Sequence, residues 1–139
     1  MKNDTHIDRL VIVLDEFNEA FPRHGFRVLI SEKYDIGRDW KKTWPSNEKP
    51  GVYVLIDESL YVQYIGKASN NIGARLNSHK TSGLLNKDID KNPLHIRYIW
   101  TIAVPDESFF EASAIEEYLI RRLNPPLNRI GKEIAESFR

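Results

Sequence analysis

Residues 51–66 read GVYVLIDESLYVQYIG, in which two runs of β-branched and aromatic residues flank a short polar connection. Such runs favour β-strands, and so short a connection favours an antiparallel hairpin with strands over 51–57 and 60–66. The hairpin would place Tyr53 and Tyr64 on paired strands, where both side chains can approach one site. We therefore expect the rest of the fold to assemble around this hairpin.

Helical spacing marks the segment before the hairpin. Apolar residues recur at three- and four-residue steps between residues 5 and 21, which predicts an N-terminal helix. Thr5 is the expected N-cap, and Pro22 ends the helix. A short strand is also expected over 26–30, and we expect residues 1–49 to form a helical extension packed on the core.

The segments after the hairpin alternate between helix and strand. Residues 72–80 predict a short helix, and residues 94–104 predict a third strand whose even positions form one apolar face. Residues 106–123 predict the longest amphipathic helix, with Asp106 as N-cap. A last helix near 133–138 is also expected. The sequence thus predicts an α+β fold, with a small, mostly antiparallel three-stranded sheet flanked by helices and preceded by an extra N-terminal helix.

Composition excludes several classes of protein. The chain of 139 residues contains no cysteine, so a disulfide scaffold and a thiolate metal site are excluded. No run approaches the roughly 20 consecutive apolar residues of a membrane span, and the first residues do not resemble a signal peptide. We therefore expect a cytoplasmic protein with no membrane contact.

Charge is unevenly distributed, although the formal net charge is zero. Residues 64–97 carry six basic and two acidic side chains, whereas residues 101–120 carry five acidic and no basic ones. A protein that holds a cation beside a phosphate could show this pattern. Ordinary solvated faces would show it too, so the charge pattern alone leaves both interpretations open.

Four side-chain types in this order suggest phosphodiester chemistry. Arg75 and His79 lie four residues apart in the predicted helix and so share one face; the guanidinium suits phosphate oxygens, and the imidazole titrates near neutral pH. Glu116, in the middle of a helix, could pair with a cation or bind Mg²⁺. Tyr53 could orient water as it stands, but could act as a base only if a cation lowered its pKa. Each residue alone also fits an ordinary structural role, so the interpretation rests on their joint spacing.

The same residues resemble a known family. Gly51-Val52-Tyr53 and Tyr64-Ile65-Gly66 resemble the paired signature of the GIY-YIG nuclease superfamily, with Val52 in place of the middle Ile. An Arg and a His on a helix follow, then a Glu on a second helix and the run NPPLN at residues 124–128. Over residues 50–128 the chain is similar to the single-domain members and to the N-terminal nuclease domain of the bacterial excision-repair subunit that makes the 3′ incision.

The resemblance implies a nuclease core over residues 50–139 and a metal-dependent endonuclease that hydrolyses DNA phosphodiester bonds. Tyr53 and His79 would activate water, and Arg75 would hold the scissile phosphate. Tyr64 would hydrogen-bond within the site, and Glu116 would coordinate a single Mg²⁺ or Mn²⁺. The implied substrate contacts are Lys67, Lys80 and Asn128, of which Asn128 would also brace the site.

Other functions compete with hydrolysis. A nucleic-acid-binding or regulatory module could keep this fold without useful turnover, and a structural protein could use the N-terminal helix as a cap. A homodimer or a separate DNA-targeting partner could supply specificity. Residues 1–49 fit a cap, a dimer contact or a substrate-reading extension. The residues do not distinguish repair, restriction, mobile-element and phage roles, or DNA from RNA.

Overall fold

The computed structural model describes residues 5–22 and 27–128. Its helices and strands, in chain order, are α1 (Ile7–Ala20), β1 (Tyr34–Asp35), α2 (Ile36–Asp39), β2 (Gly51–Asp57), β3 (Val62–Ala68), α3 (Ile72–Thr81), β4 (Ile96–Ala103) and α4 (Glu111–Leu123). Short 3₁₀ turns precede β4 and α4. The helix expected near residues 133–138 lies outside the described residues. None of the described helices is long and apolar enough to cross a membrane.

The sheet has the order β1-β4-β2-β3, and every neighbouring pair is antiparallel. This confirms the α+β class and the predicted hairpin, whose second strand begins two residues later than expected. The count of three strands was one too low, because Tyr34 and Asp35 pair with Ile99 and Tyr98 at the edge of β4. A two-residue strand is too short to leave a periodic signal in the sequence.

The strand expected over residues 26–30 is not formed in its described part, residues 27–30. A side chain satisfies the backbone here in place of a neighbouring strand. The amide group of Asn18 accepts a hydrogen bond from the backbone N–H of Val28 at 3.0 Å and donates one to its carbonyl at 2.8 Å. Val28 is buried beside α1, so its apolar character reflects packing without strand pairing.

Two helices, α1 and α4, cover one face of the sheet. Their buried side chains and those of the strands beneath them form a cluster that we call the first core: Leu10, Val13, Leu14, Phe17, Val28, Val52, Val54, Ile56, Val62, Ile65, Ile102, Val104, Ile115, Leu119 and Leu123. The N-cap of α1 is His6, whose Nδ1 accepts a hydrogen bond from the Asp8 N–H. The Thr5 cap was therefore wrong; the Thr5 carbonyl instead accepts from the Val62 N–H at 2.7 Å, which joins the N-terminus to β3.

The helix α3 covers the opposite face of the sheet. Its side chains Ile72 and Leu76 are fully buried in a cluster that we call the second core. The other buried members of the second core are Tyr34, Ile36, Trp44, Tyr53, Leu55, Ala68, Leu85, Ile96 and Ile99. The sheet is thus buried on both faces, and α1 from the predicted N-terminal extension contributes to the first core.

Local geometry changes two details of the predicted pattern. A register shift between Ile56 and Asp57 interrupts the pairing with β4, so Ile96 joins the second core and not the face of Tyr98. Asp106 does not cap α4; it begins a 3₁₀ turn that ends at Ser108, and α4 begins only at residue 111. The tighter turn places Phe109 out of phase with the buried stripe of α4, and this ring is 51% exposed.

Candidate active site

The candidate active site lies beside β3, the edge strand of the sheet. The helix α3 approaches from the face of the second core, and α4 approaches from the face of the first core. Tyr53 on β2, Tyr64 on β3, Arg75 on α3 and Glu116 on α4 line one cavity of about 510 Å³. Four side chains predicted from separate segments of the sequence therefore meet in one solvent-reachable space.

The ring of Tyr53 is packed across the edge strand. Tyr53 is fully buried, and its backbone pairs with Gly66 of β3. A Cβ atom added to Gly66 would overlap the Tyr53 ring, so only a residue without a side chain leaves room for the ring here. Gly66 thereby lets a tyrosine on the central strand extend over β3 toward the cavity.

The hydroxyl of Tyr53 forms a hydrogen bond with the imidazole of His79. The oxygen and Nε2 are 2.8 Å apart, and the tautomer of His79 decides which atom donates. Burial, followed by the neighbouring Tyr64, raises the pKa of Tyr53 to about 12, although Arg75 opposes this shift. Burial and then the charge of Arg75 lower the pKa of His79. Both groups are therefore neutral at neutral pH, and the cation beside Tyr53 does not make it acidic.

Glu116 is the member of the adjacent glutamate pair that faces the cavity. Its side chain is half-buried, and burial raises its pKa, while Lys67 and Arg75 lower it. Glu117, about 100° further around the helix, forms an exposed ion pair with Arg121 at 3.1 Å. Glu116 therefore lines the cavity and Glu117 does not, although both border a neighbouring pocket.

The two basic side chains of the cavity occupy different positions. Arg75 is exposed on α3, and its charge acts on Tyr53, His79 and Glu116 alike. The Lys67 ammonium donates a hydrogen bond to the Ser113 hydroxyl at 2.9 Å, which holds it near the first turn of α4. Both cations are accessible to an anion that enters the cavity.

Two of the predicted substrate contacts lie outside this cavity. The Asn128 side-chain amide accepts a hydrogen bond from the Ile65 N–H and donates one to the Ile65 carbonyl, each at 2.8 Å. It therefore fixes the outer edge of β3 between Tyr64 and Gly66. The Lys80 ammonium lies 4.6 Å from the centre of the Trp40 ring, in a separate groove.

The loop that precedes α3 also lines the cavity, through Ser69, Asn70 and Asn71, which the sequence did not predict. The Asn71 side chain caps α3 by accepting a hydrogen bond from the Ala74 N–H, and it also accepts one from the Glu48 N–H. An asparagine directly before a predicted helix is a typical N-cap, and that signal could have identified its role.

The side chains at the cavity can be compared with the ligands that Mg²⁺ prefers. Among the described residues there is no group of three or more His, Asp or Glu side chains arranged to hold an ion. Of the described residues that line the cavity, Glu116 is the one carboxylate. Mg²⁺ binds through one or two carboxylates, keeps several waters and uses substrate phosphates, so this donor set fits it.

Comparison with known proteins assigns the family. A model of the UvrC-like GIY-YIG domain matches residues 49–129, more than half of the chain. The chain belongs to this family. UvrABC system protein C of Alcanivorax borkumensis is 39% identical over 80 residues, which is 58% of this chain and 13% of the relative. The protein of the same name from a Synechococcus species is 34% identical over 86 residues, or 61% and 13%.

The predicted resemblance to the GIY-YIG superfamily is thus confirmed, and membership supports a nuclease role. The chain spans about 13% of the length of these curated relatives, so nothing about their whole activity transfers directly. The matched region begins two residues before β2 and leaves out α1, β1 and α2.

Proposed function

We propose that the protein is a GIY-YIG-type endonuclease that hydrolyses DNA phosphodiester bonds with Mg²⁺ or Mn²⁺. The observation that carries the proposal is the meeting of Tyr53, Tyr64, Arg75 and Glu116 around one open cavity. Family membership supports the same reaction class. DNA is the proposed partner, and a homodimer or a separate DNA-targeting protein would supply specificity.

Water activation is assigned to the Tyr53–His79 pair. A phenol with a pKa of about 12 is ionised in roughly one molecule in 10⁵ at pH 7, so a standing phenolate contributes little. In the tautomer with the proton on Nδ1, the Tyr53 hydroxyl donates to Nε2 at 2.8 Å. The phenol oxygen then takes a proton from the attacking water while its own proton passes to His79.

Phosphate binding is assigned to Arg75, with Lys67 beside it. As the water oxygen bonds to phosphorus, negative charge grows on the non-bridging oxygens, and fixed cations stabilise it. The planar fork of Arg75 can donate two parallel hydrogen bonds to those oxygens. The bond from phosphorus to the leaving oxygen then breaks, and that oxygen takes a proton from solvent. Tyr64, whose ring centre lies 6.2 Å from that of Tyr53, would hydrogen-bond to the same group.

Metal binding is assigned to Glu116. A bound Mg²⁺ or Mn²⁺ would supply positive charge to the phosphate oxygens. Burial raises the pKa of this carboxyl, and the neighbouring cations Lys67 and Arg75 favour its ionised form. The half-buried carboxylate therefore gains from a cationic ligand, as a metal ion would be.

Plasmid nicking with and without Mg²⁺ tests the proposal. We expect metal-dependent nicking by the wild type and its loss in Glu116→Gln and in Arg75→Ala. Glu117→Gln is the matched control, because it neutralises the adjacent carboxylate that faces Arg121 and solvent, and it should retain most activity. Circular dichroism of each variant separates a lost reaction from a lost fold.

Three results of these experiments would contradict the proposal. Metal-dependent nicking that survives Glu116→Gln would remove the metal role, and DNA binding without cleavage by the wild type would favour the non-catalytic binding module. A Glu117→Gln variant as inactive as Glu116→Gln would show that the two carboxylates are not distinguished as proposed.

A further inference from the structure

A second groove, of about 580 Å³, lies beside α3. Its lining residues combine lysines, tryptophans and amides, and we call it the Lys-Trp groove: Trp40, Lys41, Lys42, Thr43, Trp44, Asn47, Asn77 and Lys80. Six of the eight precede the region matched by the family, residues 49–129. The groove is therefore built mainly from the part of the chain that the family relationship does not explain.

Aromatic contacts hold the side chains of this groove in place. The Lys80 ammonium lies 4.6 Å from the centre of the Trp40 ring, and Trp40 packs edge-on against Trp44 with ring centres 6.3 Å apart. The Trp44 indole donates a hydrogen bond to the side-chain oxygen of Asn77 at 2.7 Å, which leaves the Asn77 NH₂ group as a donor. A held cation beside amide donors is a suitable arrangement for an oxyanion.

The lysines of the groove differ in their surroundings. Lys42 lies 3.4 Å from the buried carboxylate of Asp39, so its charge is partly neutralised. Lys41 and Lys80 are exposed, and no carboxylate lies among the residues that line the groove. The groove is therefore positive, and Lys41 and Lys80 are the cations best placed to meet an anion.

The helix α3 separates the Lys-Trp groove from the active-site cavity. Arg75 lines the cavity, whereas Asn77 and Lys80 line the groove. Successive helical residues turn by about 100°, so these two sets lie on opposite flanks of the helix. The ridge between them carries the small, exposed side chains of Ser78 and Thr81. A helix with its side chains is about 10–12 Å wide, and the major groove of B-DNA is about 12 Å wide.

We propose that the Lys-Trp groove binds the phosphate backbone of the DNA strand opposite the one held by Arg75. The ridge of α3 then lies in the major groove of a duplex, with one strand on each flank of the helix. This inference rests on the proposed function, because it takes the Arg75 cavity as the place of the other strand. Residues 40–47 thereby become a substrate-reading part of the N-terminal extension, and the preferred substrate is duplex DNA.

Binding to a short duplex and to its isolated strand, measured without divalent metal by fluorescence anisotropy, tests the proposal. For Lys41→Gln/Lys80→Gln we expect weaker duplex affinity than the wild type at 50 mM salt. This difference should shrink about tenfold between 50 and 200 mM salt, since each lost phosphate contact contributes about 0.9 to the salt slope. The slope of log affinity against log salt should become less negative by about 1.8. Affinity for the single strand should change less than about twofold, since one strand fills only the cavity.

Lys87→Gln/Lys91→Gln is the matched control. It removes the same charge from two exposed lysines that line neither the cavity nor the groove, and it should leave duplex affinity nearly unchanged. Equal losses in the two double variants would reduce the effect to net charge and overturn the proposal. Equal weakening of duplex and single strand by Lys41→Gln/Lys80→Gln would overturn it too.

Failure of this inference can be told apart from failure of the proposed function. If Arg75→Ala weakens duplex binding while Lys41→Gln/Lys80→Gln does not, the groove assignment is wrong and the nuclease proposal stands. If the groove variants weaken duplex binding specifically but no metal supports cleavage, the groove stands and the nuclease proposal fails. A wild type without measurable duplex affinity overturns the groove assignment.

Discussion

The two faces of the sheet are built from different kinds of side chain. The buried members of the first core, under α1 and α4, are all aliphatic except for Phe17. The second core, under α3, includes Tyr34, Trp44 and Tyr53, and each of these carries a polar atom that makes a hydrogen bond. The first core is therefore almost entirely aliphatic, while the second buries two rings, Tyr53 and Trp44, that line the cavity and the groove respectively.

This difference suggests that the first core mainly stabilises the domain, while the second core also positions the side chains of the site. Burying an aliphatic side chain contributes about 1.5–3 kcal/mol and places no demand on neighbouring polar groups. Burying Tyr53 requires a partner for its hydroxyl, a glycine opposite its ring and an imidazole held neutral. The second core thus places more constraints on its residues than the first, because it must hold the atoms of the site in position, as functional sites commonly do.

The largest effect is expected from Tyr53→Phe on the second face. Loss of the hydroxyl removes the proposed proton path to His79, so the cleavage rate should fall about 10²- to 10⁴-fold. The ring remains over Gly66, and stability should change by only about 1 kcal/mol, the typical contribution of one hydrogen bond. Single-turnover cleavage and urea unfolding measure the two quantities separately.

Tyr61→Phe is the control for this substitution. Tyr61 is 40% exposed and lies just before β3, outside the cavity. Removing its hydroxyl should leave the cleavage rate near that of the wild type. A Tyr53→Phe enzyme that cleaves at the normal rate would show that the hydroxyl only packs, and the contrast between the two faces would lose its chemical meaning.

The sequence predicted the parts of the site that lie in regular elements. Each of the four cavity residues lies on a strand or helix that the sequence pattern predicted: Tyr53, Tyr64, Arg75 and Glu116. Because the family has these residue types in the same order along the chain, the resemblance also predicted that they would meet. Glu116 lines the cavity and the adjacent Glu117 does not, because helical rotation separates neighbouring residues by about 100°. Local patterns therefore carried most of the fold and the cavity.

Contacts between distant segments could not be predicted in this way. The pairing of Tyr34 with Ile99 and the Asn18 side chain on the Val28 backbone each join separate segments of the chain. No periodic signal marks a single amide that replaces a strand. The Lys-Trp groove was missed for the same reason, since Lys80 meets Trp40 only through the tertiary fold.

An intermediate effect is expected from Leu10→Ala on the first face. Leu10 is fully buried in α1, and truncating such a side chain costs about 2–5 kcal/mol of stability. Cleavage per folded molecule should stay unchanged, because no atom of the cavity is touched. Urea unfolding measures the loss of stability. Cleavage is measured at low temperature, and its rate is normalised to the folded fraction.

Ile12→Ala is the matched control on the same helix. Ile12 is 50% exposed, and its truncation should cost less than about 0.5 kcal/mol, as surface substitutions usually do. If Leu10→Ala kept its stability but lost cleavage, α1 would act on the reaction itself. The assignment of stability to the first core and of chemistry to the second would then be wrong.

The smallest effect is expected from Glu116→Gln on stability. Burial raises the pKa of Glu116, so between the ordinary pKa of a glutamate and this raised value the folded state binds more protons than the unfolded state. That contribution to stability is complete at low pH and is lost as pH rises through the folded pKa. A neutral glutamine avoids the loss, so the variant should melt about 2 °C higher than wild type at pH 7, a small shift because the carboxyl is half exposed.

The pH dependence distinguishes this origin from a packing effect. The lowered pKa of His79 acts in the opposite direction, destabilising the fold as pH falls below about 6.5, but His79 is present in both proteins and largely cancels in their difference. The gap in melting temperature should therefore be absent near pH 4 and grow toward neutral pH in metal-free buffer. A gap of the same size at every pH would assign the effect to packing, and Glu116 would then be no more strained by burial than any residue of the first core.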